Sequence, residues 1–393
     1  MAQGLAPILQ IIEQNNTKLK AARESNAAQL AEVKAENTLG ETSVEYTPFH
    51  QQGVSGTSSS ELIVSQEFDF PTLYIARQKE ATIKQKELDL QYQTLRRDVL
   101  LEAQITCYEL FSAIKTKHLL ASRIANADSL LYAYNRRFEQ GDANLIDLNR
   151  IKLDRMTVSA ELIRNERQIK SLQFELQRLN GGESILGLLD PAATLSQDFF
   201  ADELNTMRMK LSDANLSAES SLQGVQSLET STAEATLNAS TQELKVAKQN
   251  WAPKLTLGYR RDTEMSEASH GVLMGVSVPL FGNGRKVKAA RLRRSTAEEE
   301  LHHTQVEQDA TFNALLSESR DLSLLLDNYD EQLMNETLRL LKTSVMAGQM
   351  SVVDYYTEAD RIYELLHERI DTEVALCKVL TQLNGRFVEG VHP

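Results

Sequence analysis

The chain contains two near-copies of one helix-to-helix motif, separated by about half its length. The first copy reads RFEQGDANLIDLNR around Gly141, and the second reads SVMAGQMSVVDYYTEADR around Gly348. In each copy an Asp follows the Gly by six residues, and a long helical run then ends in LQRLNGG or LTQLNGR. The copies lie 204 to 207 positions apart. Self-similarity on this scale indicates a duplicated structural unit, so we predict two structural repeats, residues 1–186 and 187–393.

Composition favours long helices and few turns. The 393 residues include only 17 Gly, 7 Pro and 6% aromatic residues, alongside 25% charged residues. The net charge of -13 argues against a nucleic-acid partner, because phosphate binding needs a basic surface. An apolar run long enough for a membrane-spanning helix, about 18 residues, is missing from the sequence.

Hydrophobic periodicity gives both halves the same order of elements. Residues 6–36 are predicted to be helical, followed by a β-hairpin at about 43–70 and a helix that runs from Pro71 to about Arg137. In the second half, a helix stops near Trp251, a hairpin covers about 254–281, and a long helix reaches Gly348. A return helix then ends at Leu383. Heptad-like spacing in the long helices is typical of coiled coils.

The hairpins raise the question of a membrane. Leu62, Val64 and Phe68 share one face of a strand, whereas Glu61, Ser65 and Glu67 share the other. Arms of about ten residues match the length of a tilted strand that crosses an outer membrane. Four strands cannot close a barrel within one chain, and open edges are not tolerated in lipid. We therefore expect either that several chains pool their strands or that the hairpins are small soluble caps on a helical protein.

Several motifs together resemble the TolC family of outer-membrane efflux proteins over nearly the whole chain. They are VSVPLFGNGRKVKAA at residues 276–290, the turn residues Arg137, Phe138 and Gly141, and the Leu-Asn-Gly ends at Asn180 and Asn384. Two sites depart from the pattern, since QEFDFPTLYIAR replaces Pro-Leu-Phe-Gly after the first hairpin and the second turn lacks the Arg.

The resemblance implies a mainly α fold with β elements. Three chains would each give four strands to one twelve-stranded barrel, continuous with a helical periplasmic tunnel. It further implies an exit duct in the outer membrane, to which a periplasmic adaptor and an inner-membrane pump deliver substrates. The expected partners are two further copies, the adaptor, the pump and outer-membrane lipid.

The candidate site residues follow from this resemblance and from charge. The turns map onto the adaptor-docking tips through Arg137, Phe138, Gly141, Asp147, Gly348 and Asp354. Acids within two turns of the tips, Asp154, Glu358 and Asp360, could form a cation-selective aperture if they face a threefold axis. Arg285, Lys286 and Arg291 leave the second hairpin, where they could pair with lipid headgroups or form a solvated helix face.

Catalytic and metal signals are poor. His302 and His303 are adjacent, so they point about 100 degrees apart on a helix and cannot share an ion as residues four apart could. Phosphate-binding loops and nucleophile motifs are missing from the sequence, and we expect no cofactor and no enzymatic activity. Cys107 and Cys377 are expected to be buried thiols, with an interhelical disulfide as the alternative in an oxidising periplasm.

The branch and the cellular route stay open at this stage. The QEFDFPT string is most similar to the heavy-metal branch, the CusC and CzcC type, so the expected cargo is heavy-metal cations or drugs. An exporter of a secreted polypeptide, as in type I secretion, shares the fold, and a non-transport structural coiled coil or a periplasmic adaptor is a further alternative. MAQGLAPILQIIEQ lacks the features of a signal peptide, so we expect a cytoplasmic protein or a mature chain placed behind a start codon.

Overall fold

The computed structural model describes residues 5–50, 57–185, 204–207, 227–264, 267–278 and 283–386. These residues are mostly helical and include one small antiparallel sheet. The helices are α1 (Ala6–Asn15), α2 (Thr17–Ala35), α3 (Pro71–Glu139), α4 (Leu145–Leu179), α5 (Leu228–Gln249), α6 (Asn283–Asp327), α7 (Glu331–Met346) and α8 (Val352–Arg386). The strands are β1 (Thr42–Phe49), β2 (Ser59–Phe68), β3 (Lys254–Glu264) and β4 (Glu267–Ser277). In this part of the chain, no helix is both long and apolar enough to cross a membrane.

The chain forms two compact units. The turn unit comprises Met1–Lys20, Leu95–Ser227 and Asp309–Pro393, and the sheet unit comprises Ala21–Thr94 and Leu228–Gln308. The predicted boundary between repeats at residues 186 and 187 lies outside the described residues, so the division into two repeats stays a prediction.

The first predicted helix, residues 6–36, is divided by a break at Asn16. Asn16 is almost completely buried, and its Nδ2 donates to the backbone oxygen of Leu179 at 2.8 Å. Its Oδ1 accepts from the Leu19 amide at 3.0 Å, as a helix N-cap does. The single-helix prediction was wrong here because a buried contact with a distant part of the chain favours the break.

The predicted helix from the second hairpin to Gly348 is also divided. It ends at Asp327, and α7 starts anew with Asp330 as its N-cap, whose carboxylate accepts from the Leu333 amide at 2.9 Å. The Asn328 side chain meanwhile donates to the Leu324 carbonyl at 2.9 Å. Polar side chains that bond to nearby backbone compete with helical hydrogen bonds, which explains the interruption.

The two Leu-Asn-Gly segments end their helices differently. After α4, Gly181 adopts a positive φ of 69°, whereas α8 continues through Gly385 to Arg386, beyond the predicted end at Leu383. A Cβ at Gly385 would lie 2.8 Å from a methyl carbon of Leu101, so this glycine allows close helix packing.

Both predicted hairpins are present, and they join into one sheet in the order β1-β2-β3-β4. The inner strands β2 and β3 pair antiparallel from Ser59 opposite Glu264 to Phe68 opposite Leu255. In the second hairpin, β4 begins at Glu267. The Pro-Leu-Phe motif at 279–281 lies outside the described residues.

The core of the turn unit lies next to the two helical turns. It is built from four helices and is rich in tyrosine: Leu130, Tyr134, Leu148, Ile151, Met334, Val345, Val352, Tyr355, Tyr356, Ala359, Ile362, Tyr363 and Leu366. Burial of these side chains fixes α3, α4, α7 and α8 around the candidate site described next.

Candidate functional site: two helical turns and a charged layer

The first turn ends α3 with a Schellman motif. Gly141 has a φ of 86°, in the left-handed region that glycine reaches without a steric penalty. Its amide donates to the Phe138 carbonyl at 3.0 Å, and the Asp142 amide donates to the Arg137 carbonyl at 2.8 Å. This is the hydrogen-bond pattern that satisfies the last carbonyls of a helix.

The second turn repeats this backbone geometry. Gly348 has a φ of 77°, and its amide donates to the Val345 carbonyl at 3.1 Å. The Gln349 amide donates to the Ser344 carbonyl at 3.0 Å. Both glycines therefore take the left-handed conformation that a tight helix-to-helix turn requires.

The returning helices are capped at equivalent positions by different side chains. Asn144 caps α4 and accepts from the Ile146 amide at 3.0 Å. Ser351 caps α8, where its Oγ accepts from the Asp354 amide at 3.1 Å and donates to the Asp354 carboxylate at 2.7 Å. Asp147 and Asp354 both lie in the first turn of their helices, where a negative charge is favourable.

Arg137 connects the two turns. Its Nη2 donates to the Met346 carbonyl at 2.6 Å, at the carboxyl end of α7. Its guanidinium lies 5.3 Å from the centre of the Tyr134 ring, a cation–π distance, and about 3.6 Å from where a Cβ on Gly348 would be. A single side chain of the first turn thus holds the second turn beside it.

A charged layer lies behind the turns, centred on Arg123 of α3. Its Nη2 contacts an oxygen of Asp154 on α4 and an oxygen of Asp360 on α8, both at 2.5 Å. The side chains of Arg123 and Asp154 are only 17% and 11% exposed. Burial raises the pKa of the Asp154 carboxyl, and the Arg123 guanidinium opposes that rise. The Arg123 guanidinium therefore links the α3–α4 hairpin to the α7–α8 hairpin.

Tyrosines surround this layer. The Arg123 guanidinium lies 4.9 Å from the centre of the Tyr363 ring, and the Tyr363 hydroxyl accepts from Asn126 at 3.0 Å. Tyr355 and Tyr356 pack edge to face with centroids 5.1 Å apart, and burial raises the pKa of both. These hydroxyls therefore stay neutral at physiological pH.

The sheet in the other unit has one mostly apolar and one mostly polar face. Cross-strand pairing places Val44, Val64, Tyr259 and Val272 in one row of the apolar face. The other rows of this face add Tyr46, Leu62, Phe68, Leu255, Leu257, Met274 and Val276, together with the polar Gln66, Arg261 and His270. The opposite face carries Glu61, which pairs with Arg260 at 2.9 Å. Val272 and Met274 are 75% and 77% exposed, so the part of the chain that the structure describes leaves the apolar face uncovered.

Comparison with solved structures identifies this architecture. The structure matches the Campylobacter jejuni CmeC outer membrane channel with a TM-score of 0.77 at 15% identity, over 98% of this chain and 85% of that one. It also matches a structure of CusC, a protein described as changing conformation during folding and transmembrane channel formation. The TM-score is 0.76 at 12% identity, over 98% of this chain and 92% of that one. It matches the open state of the Neisseria gonorrhoeae MtrE outer membrane channel with a TM-score of 0.73 at 12% identity, over 98% and 88%.

This is the fold of the TolC family. The resemblance seen in the sequence is therefore confirmed at the level of the fold. No protein-family model and no curated protein matches the chain. At such low identities, shared structure carries the comparison, and the residue assignments depend on the geometry of this chain.

Of the six predicted tip residues, the structure brings Arg137 next to Gly348, and the docking role of all six stays a prediction. Phe138 is 43% exposed beside Gly141, while Arg137 is partly buried against the second turn. Of the three aperture acids, Asp154 and Asp360 are engaged by Arg123, and Glu358 is exposed. Their role in an aperture stays a prediction.

The other singled-out residues are placed as follows. Arg285, Lys286 and Arg291 are exposed near the start of α6, in the sheet unit. Cys107 and Cys377 form no disulfide and are both buried; burial raises the pKa of the Cys107 thiol to about 12, so it stays protonated. Across the described ranges, no group of His, Cys, Asp or Glu could hold a metal ion.

Arg123 is the site residue that the sequence reasoning missed. An arginine in a long coiled-coil helix resembles any solvated helix position. Its partners, Asp154 and Asp360, lie 31 and 237 residues away, and only the packing of three helices brings them to one cation.

Proposed function

We infer that the protein is the outer-membrane exit duct of a tripartite efflux system. Three copies would pool their sheets into one barrel, and the long helices would form the periplasmic tunnel below it. A periplasmic adaptor and an inner-membrane pump would dock at the tips and deliver substrate. The pump would choose the cargo, heavy-metal cations or drugs, and transport through the duct would involve no catalytic step.

The exposed apolar face of the sheet carries this proposal. A soluble protein rarely leaves such a surface uncovered, whereas a strand in an outer membrane alternates lipid-facing and lumen-facing residues. On the opposite face, Lys254 and Glu67 are 3.5 Å apart and Arg260 pairs with Glu61, as suits an aqueous interior.

The sheet edges support assembly from several copies. Among the described residues, β1 and β4 each pair on one side only, and four antiparallel strands leave these edge strands running in opposite directions. The β4 edge of one copy can therefore pair antiparallel with the β1 edge of the next, and the ring can close without a free edge. The channels named in the comparison, CmeC and MtrE, are outer-membrane proteins, which supports the same location for this chain.

The turns suit the proposed tip in two ways. They present Phe138 and both glycines at one end of the turn unit, where an adaptor could dock. The Arg123 layer behind them joins α3, α4 and α8, so movement of one hairpin against the other would have to change its ion pairs.

Two other functions remain as alternatives. An exporter of a secreted polypeptide would use the same fold with a different pump. A non-transport coiled-coil protein would leave the apolar sheet face without a role, and we favour it least for that reason.

Conductance in planar lipid bilayers tests the proposal, with two neighbouring substitutions on opposite sheet faces. Met274→Arg places a charge on the apolar face, at a cost of about 2–4 kcal/mol at the bilayer midplane, and should abolish insertion. Leu273→Arg lies at the same depth on the polar face and should insert and conduct. Equal conductance of both variants, or no conductance by the unaltered protein, would contradict the proposal.

A further inference from the structure

A cleft of about 780 Å³ lies between α3, α4 and α8 in the turn unit, beyond the charged layer as seen from the turns. On α3 it is lined by Thr116, Leu119, Leu120 and Arg123, which are spaced by three, four and three residues and so share one helix face. Cavities of about 300 to 1,000 Å³ are typical of sites for small molecules. The channel proposed above gives this cleft no role.

The floor of the cleft combines an apolar surface with one unsatisfied acceptor. Leu119 and Leu120 are half-buried, and Tyr363 of α8 is buried beside them. Asn165 of α4 is 8% exposed, and its Oδ1 has no hydrogen-bond partner among the described residues. A buried acceptor without a partner is costly, so a ligand that brings an N–H donor to this side chain is favoured.

Four charged side chains of the cleft form no ion pair with any residue that the structure describes. They are Glu161, Arg164 and Arg167 on α4 and Glu364 on α8. Glu161 is half-buried and the other three are exposed. Two unpaired charges of each sign are complementary to one ligand that carries both signs.

The two signs are separated along the cleft. Measured along α4 and α8 from the carboxylates of the charged layer, Glu364 and Glu161 lie four and seven residues further from the turns, at about 6 and 11 Å. Arg164 and Arg167 lie ten and thirteen residues further, at about 15 and 20 Å. The acidic pair is therefore about 9 Å closer to the turns than the basic pair, which is the length of about three residues of extended chain.

We propose that this cleft binds a small zwitterion with an apolar body, namely a free peptide of about three residues. The ammonium group of the peptide lies next to Glu161 and Glu364, and its carboxylate lies next to Arg164 and Arg167. The middle side chain packs on the apolar floor, and a peptide N–H reaches Asn165. The bound peptide contacts both helical hairpins and stabilises their packing. This site goes beyond the proposed channel function, because all of its residues belong to one copy.

Calorimetric titration of the full-length protein in a nonionic detergent tests the site, with Ala-Leu-Ala as the probe. This peptide should bind saturably, with one molecule per chain. Its N-acetylated form lacks the ammonium group and its C-terminal amide lacks the carboxylate, so each should bind at least about tenfold more weakly. Equal affinity for the three forms, or no saturable binding, would overturn the proposal.

Substitution of the basic pair shows whether the peptide lies in this cleft. Arg164→Gln/Arg167→Gln should weaken the binding of Ala-Leu-Ala about tenfold and leave the affinity of its amide form unchanged, since the amide has no carboxylate. Lys152→Gln/Lys170→Gln removes the same charge from exposed positions of α4 outside the cleft and should change neither affinity. Equal losses in the two double variants would contradict the site.

Substitution of the acidic pair fixes the direction of the peptide. Glu161→Gln/Glu364→Gln should weaken the binding of Ala-Leu-Ala about tenfold and leave the affinity of the N-acetylated form unchanged. If the N-acetylated form loses affinity as well, these carboxylates do not hold the ammonium group and the proposed orientation is wrong. None of these titrations measures conductance or mass, so failure of the site leaves the channel proposal standing.

Discussion

The two helical turns have the same backbone geometry but different side-chain partners. Both end their incoming helix with a left-handed glycine and the same pair of backbone hydrogen bonds. The first turn is capped by Asn144 alone, whereas the second has a reciprocal Ser351–Asp354 pair. Arg137 reaches from the first turn to the second, and the second turn has no arginine at the corresponding position.

This difference shows which features the fold requires and which can diverge. The glycine and the acid in the first helical turn satisfy demands that any tight helix-to-helix turn makes on its backbone. Arg137 is the side chain that connects the two turns, and because its acceptor is the backbone carbonyl of Met346, only one of the turns needs an arginine. The first turn is therefore the donor and the second the acceptor in one joint tip.

The largest expected effect comes from Arg123, which forms an ion pair with each of the two helical hairpins. Arg123→Met leaves Asp154 and Asp360 without their shared cation, and Asp154 is almost buried. Loss of one partner of such a pair should lower the free energy of unfolding by about 3 kcal/mol. Urea denaturation followed by circular dichroism measures this change, with Arg155→Met, which breaks an exposed pair with Asp128, as a control expected to cost under about 1 kcal/mol. Similar costs for both variants would show that the layer is not a structural joint.

The link between the turns should have the next largest effect. Arg137→Ala removes the hydrogen bond to the Met346 carbonyl and the contact with the Tyr134 ring, and we expect a loss of about 2 kcal/mol in unfolding free energy. Arg136→Ala, an exposed neighbour, should have little effect. Protease cleavage should also become faster at both turns in the Arg137 variant; faster cleavage at the first turn alone would contradict a joint tip.

Removal of a helix cap should lower the stability by a smaller amount, and this amount should differ between the two turns. Ser351→Ala removes two side-chain hydrogen bonds and Asn144→Ala removes one, so the expected costs are about 1.5 and about 1 kcal/mol. Thermal unfolding of the two variants side by side checks the order. A larger loss for Asn144→Ala would show that the reciprocal pair with Asp354 adds nothing.

The pH dependence of the charged layer should be the smallest effect. Burial raises the pKa of Asp154 above its ordinary 3.8, so the folded state keeps its proton at a pH where the unfolded state has lost it. The contribution of Asp154 to stability should therefore fall as the pH rises from about 3.8 to the folded pKa, and stay constant above it. Denaturation of the unaltered protein and of Asp154→Asn between pH 3 and 6 tests the sign; a contribution that rises with pH would mean that Arg123 outweighs burial.

The sequence predicted features that depend on local chemistry. The turns at Gly141 and Gly348, both hairpins and the uninterrupted α3 follow from residue type and periodicity alone, and each is present. The breaks at Asn16 and at Asp330 were missed, because the first depends on a carbonyl 163 residues away and the second on one cap within an otherwise helical pattern. Arg123 was missed for the same reason as the break at Asn16, because its partners Asp154 and Asp360 lie 31 and 237 residues away in the sequence.

The mass of the purified protein in detergent, measured by light scattering with the detergent contribution subtracted, tests the central claim most directly. The account predicts three times the chain mass of 44.1 kDa, since one sheet has two open edges and an uncovered apolar face. A stable protein of 44.1 kDa that stays soluble without detergent would contradict the shared barrel and the channel function built on it.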